Sequence, residues 1–312
     1  MTARLDRRRF LSLAGSAAGV LAAGVRSDAE PVGQTDFSFI FFTDTHLQPE
    51  LNAAEGTSMA FRKARTIKAD FAIGGGDFVF DVSAVPRGRA LSLYDMYTKA
   101  EQDLGLKIYH TIGNHDVVGA GADLISPSDP IYGKRIWSQK FGETYYSFDH
   151  KGYHFVVLDS IEYQPDHSFI GRIDADQMQW LTKDLAAQPK GTPVIVVVHM
   201  PLASSAFSYD GPETYKMASM IIVTNAREVI SLLDEYNVIA VLQGHTHINE
   251  QVVWRGKTFL TSGAVCGNWW RGSRLGIPEG FTVVHLKDGK FSTEYVTYGF
   301  TSVDPTSGPG LK

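Results

Sequence analysis

The sequence predicts an α/β fold, and three observations carry the prediction. Short Val/Ile/Phe-rich runs, too apolar for a strand with one wet face, alternate with stretches whose apolar residues recur at helical spacing. Five of the runs stop at a short polar block: Asp44-Thr45-His46, Gly75-Gly76-Asp77, Gly113-Asn114-His115-Asp116, His199-Met200-Pro201 and Gly244-His245-Thr246-His247. These blocks must converge to act together, so a boundary anywhere between Asp44 and His247 would divide them, and one large domain is expected.

The elements follow in chain order. Phe37 to Phe42 is an unbroken apolar strand ending at Asp44. Thr57 to Lys68 is a helix with Met59, Ala60, Ala64 and Ile67 at helical spacing, and Ala69 to Ile73 returns as a buried strand before the Gly74-Gly75-Gly76 turn. Arg89 to Leu104 is a second helix and Lys107 to Ile112 a third strand, giving the strand-helix alternation of parallel crossover units. Residues 118–140, punctuated by Gly and Pro, are expected to lie over the site as an insertion. Thr144 to Phe148 and Tyr153 to Asp159 form a hairpin, in which His150 and His154 have structural roles. Asp176 to Ala187 is a helix, Pro193 to Val198 a strand, and Pro201 to Thr224 a long loop carrying Phe207, Tyr209, Tyr215 and Met217. A helix over Ala226 to Tyr236, a strand over Val238 to Leu242, and hairpins near Arg255-Gly256 and Asp288-Gly289 complete the chain, with no internal repeat.

Composition narrows the function classes only modestly. The 312 residues are 44% apolar and 12% aromatic with a net charge of −5, and no basic run follows residue 10, which argues against a nucleic-acid groove. Cys266 is the only cysteine, so no intrachain disulfide forms. At the N-terminus, Arg4, Arg7, Arg8 and Arg9 precede an apolar, Ala/Gly-rich stretch from Phe10 to Val25, the layout of a signal peptide over residues 1–29. It is shorter than the about 20 residues of a bilayer span, so no stable membrane span is expected in the mature chain, residues 30–312. A basic amphipathic helix or a retained anchor is the alternative.

Two Asp, one Asn and four His beside Gly-rich turns form a mixed oxygen and nitrogen ligand set, suited to Zn, Mn, Fe or Co and poorly suited to calcium. Seven side chains are too many for one ion. Two ions about 3.5–4 Å apart, bridged by one carboxylate, would use all of them.

The five blocks together resemble the calcineurin-like metallophosphoesterase superfamily, whose pattern runs D-x-H, G-D, G-N-H-[DE], H, G-H-x-H in the same order. The resemblance covers roughly residues 37–300, and five ordered blocks are far more specific than any one of them. It implies a four-layer α/β/β/α sandwich, two mixed sheets face to face with a dimetal site at the strand ends. It places Asp44, His46 and His247 on one transition-metal ion (Fe, Mn or Zn), Asn114, His199 and His245 on a second, and Asp77 between them. His115 is left as the histidine beside the substrate, with Asp116 or Asp81 to hold it while it protonates the departing alkoxide. The implied activity is hydrolysis of small-molecule phosphate esters. A non-phosphate hydrolase on the same metals, or a silent binding module, are the competing readings.

Departures from subfamily patterns refine this. Purple acid phosphatases carry a tyrosine three positions after the Gly-Asp aspartate, where this chain has Phe80, and the Gly-Asp-x-x-Asp-Arg-Gly of protein phosphatases is missing around Asp77 to Asp81. The Asn114-His115-Asp116 ending is similar to bacterial cyclic-nucleotide and glycerophosphodiester phosphodiesterases, which favours phosphodiesters or organic phosphate esters over small monoesters. Cys266 to Gly272 resembles a stretch of bacterial secreted members, and Trp269, Trp270 and Arg271 there are candidates for substrate contact. Tandem tryptophans also serve as core plugs, but in an extended segment the two face opposite sides and at least one reaches the mouth. Arg7-Arg8-Arg9-Phe10-Leu11 resembles a twin-arginine export signal, with Asp6 in place of the usual Ser or Thr, implying the twin-arginine machinery as partner and a periplasmic or secreted location.

Overall fold

The computed structural model describes residues 35–206 and 216–305. The chain divides into two compact units, Met1–Pro31 and Val32–Lys312, and all described residues belong to the second. The export signal and Phe207, Tyr209 and Tyr215 lie outside the described residues.

Thirteen strands and six α-helices are present among the described residues: β1 Phe37–Phe42, α1 Ala53–Arg65, β2 Ala72–Gly74, α2 Arg87–Ala100, β3 Ile108–His110, α3 Arg135–Phe141, β4 Tyr146–His150, β5 Tyr153–Leu158, β6 Ile161–Tyr163, β7 Phe169–Gly171, α4 Ala175–Ala186, β8 Val194–Val198, α5 Ala218–Ile221, α6 Ala226–Leu233, β9 Val238–Gln243, β10 Glu250–Trp254, β11 Lys257–Thr261, β12 Gly280–Lys287 and β13 Lys290–Thr297. One sheet has the order β13-β12-β1-β2-β3, the other β10-β11-β9-β8-β5-β4, and β6 pairs only with β7. Both large sheets are mixed: β1, β2 and β3 run parallel, as do β11, β9, β8 and β5, while the remaining strands add antiparallel edges.

Strand periodicity explains why the sheets stack. Phe37, Phe39 and Phe41 of β1 meet Phe155 and Val157 of β5, Ile195 and Val197 of β8 and Leu242 of β9 in one core. The alternate residues Ile40, Phe42, Val156, Leu158, Val196 and Val198 belong to a second core shared with the helices. A period of two therefore puts one apolar set between the sheets and the other under the helical layers, which is the expected sandwich. It also explains why these strands read as continuous apolar runs.

The boundaries differ from expectation by a few residues, for local reasons. The first helix starts at Ala53 because Asn52, with φ 55°, turns the chain into it. The hairpin turn after β4 shrinks to Lys151-Gly152, both with positive φ, and Arg255-Gly256 and Asp288-Gly289 share that two-residue geometry. The stretch over 118–140 does not roof the site. Val118, Ile125, Ile131, Ile136 and Trp137 are buried, and Trp137 stacks 5.4 Å from Phe78, so the segment is part of the helical-side core. His150 pairs with Asp70 at 2.8 Å and His154 with Asp149 and Asp184 at 2.7 and 2.8 Å, the structural roles expected of them.

Candidate metal centre

All five polar blocks lie just beyond the C-terminal ends of parallel strands, β1, β2, β3, β8 and β9, where open α/β sheets gather ligand groups. Asp44, His46, Asp77, His245 and His247 all have positive φ, between 43° and 71°. Each such non-glycine backbone costs about 1–3 kcal/mol, and five at one place approach the stability of a whole domain. The backbone is bent here to aim these side chains inward. Glycines permit the close approach: a Cβ on Gly76 would stand 2.5 Å from His199 Nδ1, and one on Gly244 would stand 2.8 Å from Asp44 Oδ2.

The side chains form two groups that share Asp77. In the first, His46 Nε2 and His247 Nε2 are 3.1 Å apart, and His247 Nε2 is 3.3 Å from Asp44 Oδ1. In the second, His199 Nε2 is 3.2 Å from both Asn114 Oδ1 and Asp77 Oδ2, and His245 lies within 4.8 Å of Asp77 and His199. Asp77 Oδ2 also faces His46 Nε2 at 3.6 Å, so one carboxylate oxygen stands between the groups.

The four histidines are turned the same way with respect to hydrogen bonding. His46 Nδ1 donates to the Phe80 carbonyl, His199 Nδ1 to Gly75, His247 Nδ1 to Gly267 and His245 Nε2 to Met220, at 3.2, 2.8, 2.7 and 2.8 Å. Each ring thus has one nitrogen fixed outward on a backbone carbonyl and presents the other to the cluster, the arrangement by which outer partners orient metal-binding imidazoles. Were both nitrogens of the His46–His247 pair bare lone pairs, they would repel at 3.1 Å, so the pair needs a proton or a metal cation between them. The electrostatics agree. Burial opposes ionisation of Asp44, yet His247 and its neighbours bring it down to about 2. Burial lowers His199, but Asp77 and Asp44 raise it to about 9, whereas burial and neighbouring histidines hold His46 at about 3 and His245 at about 4. The cluster attracts positive charge, and its donor set fits two transition-metal ions.

His115 sits at the lip, a quarter exposed, with Nε2 4.0 Å from Asp77 Oδ2 and Nδ1 4.0 Å from Asp81 Oδ2. Asp116 does not hold it. Its carboxylate is buried and accepts the backbone N–H groups of Gly113, Asp77 and Phe78 at 2.9 Å and of Val79 at 3.4 Å, so it clamps the turn that carries Asp77. Burial, with Asp77 adding to it, pushes Asp116 up to about 8 against those hydrogen bonds.

The tryptophans separate. Trp269 lies beside the cluster, its ring 4.5 Å from that of His247. Trp270, expected among the substrate-contact candidates, is fully buried instead: its Nε1 donates to the His46 carbonyl at 3.0 Å and its ring meets Phe300 edge-on. The two residues have φ of 50° and 68°, so the segment is coiled and the alternation of an extended strand does not apply to it, and Trp270 plugs the core below His46. Arg271 pairs with Asp304.

Two cavities open from the centre and share His115 and Trp269. One, of about 220 Å³, reaches past Asn114 and His245 and is walled mainly by Phe169, Met220, Ile221, Ile248 and Leu275. The other, of about 640 Å³, is lined by Gln48, Glu50, Leu51, Phe80 and Arg271. Among these, Phe169, Ile248 and Glu50 were not singled out in the sequence. Only Ile248, directly after His247, sat near a recognisable block.

A family model described as calcineurin-like phosphoesterase matches residues 37–249. The chain belongs to that family. This phosphoesterase is a metal-dependent hydrolase of phosphoric esters. Comparison with curated proteins gave no match. Among solved structures it is similar to a dimetal phosphatase from Danio rerio, at 16% identity and a TM-score of 0.62, covering 85% of this chain and 96% of that one. It is also similar to GAP50, the anchor in the inner membrane complex of Plasmodium, at 16% identity and a TM-score of 0.50, covering 89% and 90%. At such identities the likeness concerns the fold. No helix among the described residues is long and apolar enough to cross a membrane.

Proposed function

We propose that this phosphoesterase acts on phosphodiesters or phosphate esters with a sizeable organic group, at a two-ion centre in which Asp44, His46 and His247 hold one ion, Asn114, His199 and His245 the other, and Asp77 both. The observation that carries the substrate reading is the pair of cavities meeting at His115 and Trp269. A phosphorus between them has room for a substituent on either side, which a small monoester leaves unused. The Danio rerio relative, described as a dimetal phosphatase, supports two ions. When bound, such ions supply charge neutralisation at the phosphoryl oxygens and an acidified water. The chain's own residues do the rest. Asp77 and the four imidazoles fix the place of the phosphoryl group, and His115 delivers a proton to the departing oxygen while Asp81, facing its other nitrogen, balances the charge of the protonated ring.

Elemental analysis should find close to two transition-metal ions per chain, and Asp77→Asn should lose both. Steady-state kinetics on a nucleotide diester and a small monoester test the substrate: a higher kcat/KM for the diester is expected, and preference for the monoester would remove the two-substituent reading. The N-terminal sequence supports export by the twin-arginine machinery as residues 1–29 of a precursor. Replacing Arg7 and Arg8 by lysine should then leave precursor in the cytoplasm, and an unchanged periplasmic amount refutes it.

A further inference from the structure

Gln48 is 4% exposed, and its amide nitrogen, Nε2, is buried without a hydrogen-bond acceptor among the described residues. It lines the larger of the two cavities that open from the metal centre, in company with Leu51, Phe80, His115 and Trp269. We infer that Gln48 is a specificity-determining residue: its amide N–H donates to an oxygen or nitrogen acceptor on the organic arm of the ester, so arms with such an acceptor within a few bonds of the phosphorus are preferred over plain alkyl arms. This rests on the phosphoesterase reading and names the class of arm for it.

A buried N–H without an acceptor destabilises the fold that carries it, and native proteins keep few of them. The position of this one points to a ligand. Gln48 stands two residues beyond His46, and the backbone beneath it is fixed to the Asp77 segment: His46 N donates to the Asp77 carbonyl, Leu47 N to that of Phe78 and Phe80 N to that of Leu47, at 2.9, 3.0 and 3.0 Å. The amide is therefore carried on the same rigid backbone as two metal-ligand candidates. The charged groups of this cavity are already engaged, Glu50 with Arg89 at 2.7 Å and Arg271 with Asp304, while Leu51 and Phe80 offer only apolar side chains. In such a cavity a single placed amide decides how a ligand lies. A half-turn about its terminal torsion exchanges the amide oxygen and nitrogen, so the N–H groups can meet a bound arm with the backbone unmoved. An alkyl arm leaves the donor unpaired, whereas an arm with an acceptor satisfies it, and that difference is the discrimination.

Two isosteric diesters test this, bis(2-methoxyethyl) phosphate and dibutyl phosphate. An ether oxygen replaces one methylene in each arm, and the two arms are alike, so either can enter the cavity. Calorimetric titration of the Mn-loaded protein compares wild type with Gln48→Met, which keeps the length of the side chain and removes the donor. The variant should lose about three- to tenfold more affinity for the ether diester than for the dibutyl one. Because the donor has no partner within the protein, Tm of the ligand-free variant should be unchanged or higher. Gln48→Leu repeats both measurements with a second apolar side chain. Equal losses for the two diesters, or a lowered Tm in both variants, would overturn the inference, make Gln48 a part of the fold and leave the phosphoesterase reading standing. Failure of wild type to bind either diester, together with no turnover of an aryl phosphate ester, would overturn both.

Discussion

His115 and Asp116 are neighbours in the chain with unrelated tasks, and the difference is visible in what their atoms touch. His115 presents its ring between Asp77 and Asp81 at the mouth, whereas the Asp116 carboxylate is enclosed by backbone amides. Substitutions should separate the two. His115→Ala is expected to keep its metal and lose about 10²- to 10⁴-fold in kcat toward esters with poor leaving groups, and less toward good ones. A uniform loss across leaving groups would make His115 a positioning residue. Asp116→Ala leaves up to four buried N–H groups unpaired, at about 1–3 kcal/mol for the first alone, and frees the turn bearing Asp77. It should lower both Tm and metal content, readable by calorimetry and elemental analysis. A normal Tm with intact metal content would mean that the amide clamp is dispensable.

At the scale of elements, the segment after β11 shows how one short loop serves both core and mouth. Trp270 fills the space against Gly56 of α1, and Ser302 Oγ bonds its carbonyl at 2.7 Å, so the chain beyond β13 straps the plug in place. Trp270→Ala should therefore cost about 3–5 kcal/mol of stability. Trp269→Ala should leave Tm nearly unchanged and raise KM for a nucleotide diester about tenfold, the size of one lost stacking contact. If the two variants behave alike, the division of labour is wrong. The five polar blocks were legible in the sequence because each followed an apolar run, three of them across a glycine turn, which are local signals. The fate of Trp270 was not, because it depends on a left-handed backbone at both tryptophans and on a hole left by Gly56, more than two hundred positions upstream. The Asp116 clamp was hidden in the same way, since its amide donors include residues 77–79 as well as Gly113. The β6–β7 hairpin, with three residues in each strand, is too short to show a period.

Across the whole molecule, the metal centre occupies one end of the sandwich, and other ionisable groups tie the outer layers to the sheets. His154 on β5 is buried between Asp149 of β4 and Asp184 of α4, and Ser147 donates to the same Asp184 at 2.6 Å. Burial lowers the pKa of His154, but the two carboxylates outweigh it and raise the group above its ordinary value. The sign of the linkage follows. A histidine whose folded pKa exceeds its unfolded value of about 6.5 contributes its full stability below that pH, and the contribution fades as pH rises through the folded value. His154→Gln removes the titrating group while keeping a polar side chain. The stability gap between wild type and His154→Gln, measured by urea denaturation, should therefore be largest near pH 6 and narrow steadily toward pH 9. The metal should be kept constant across the series, because ions bound at the other end would add their own pH dependence. A gap that stays constant, or widens with rising pH, would mean that His154 is held neutral, donating its single N–H to one carboxylate and accepting a hydrogen bond from the other in its protonated form.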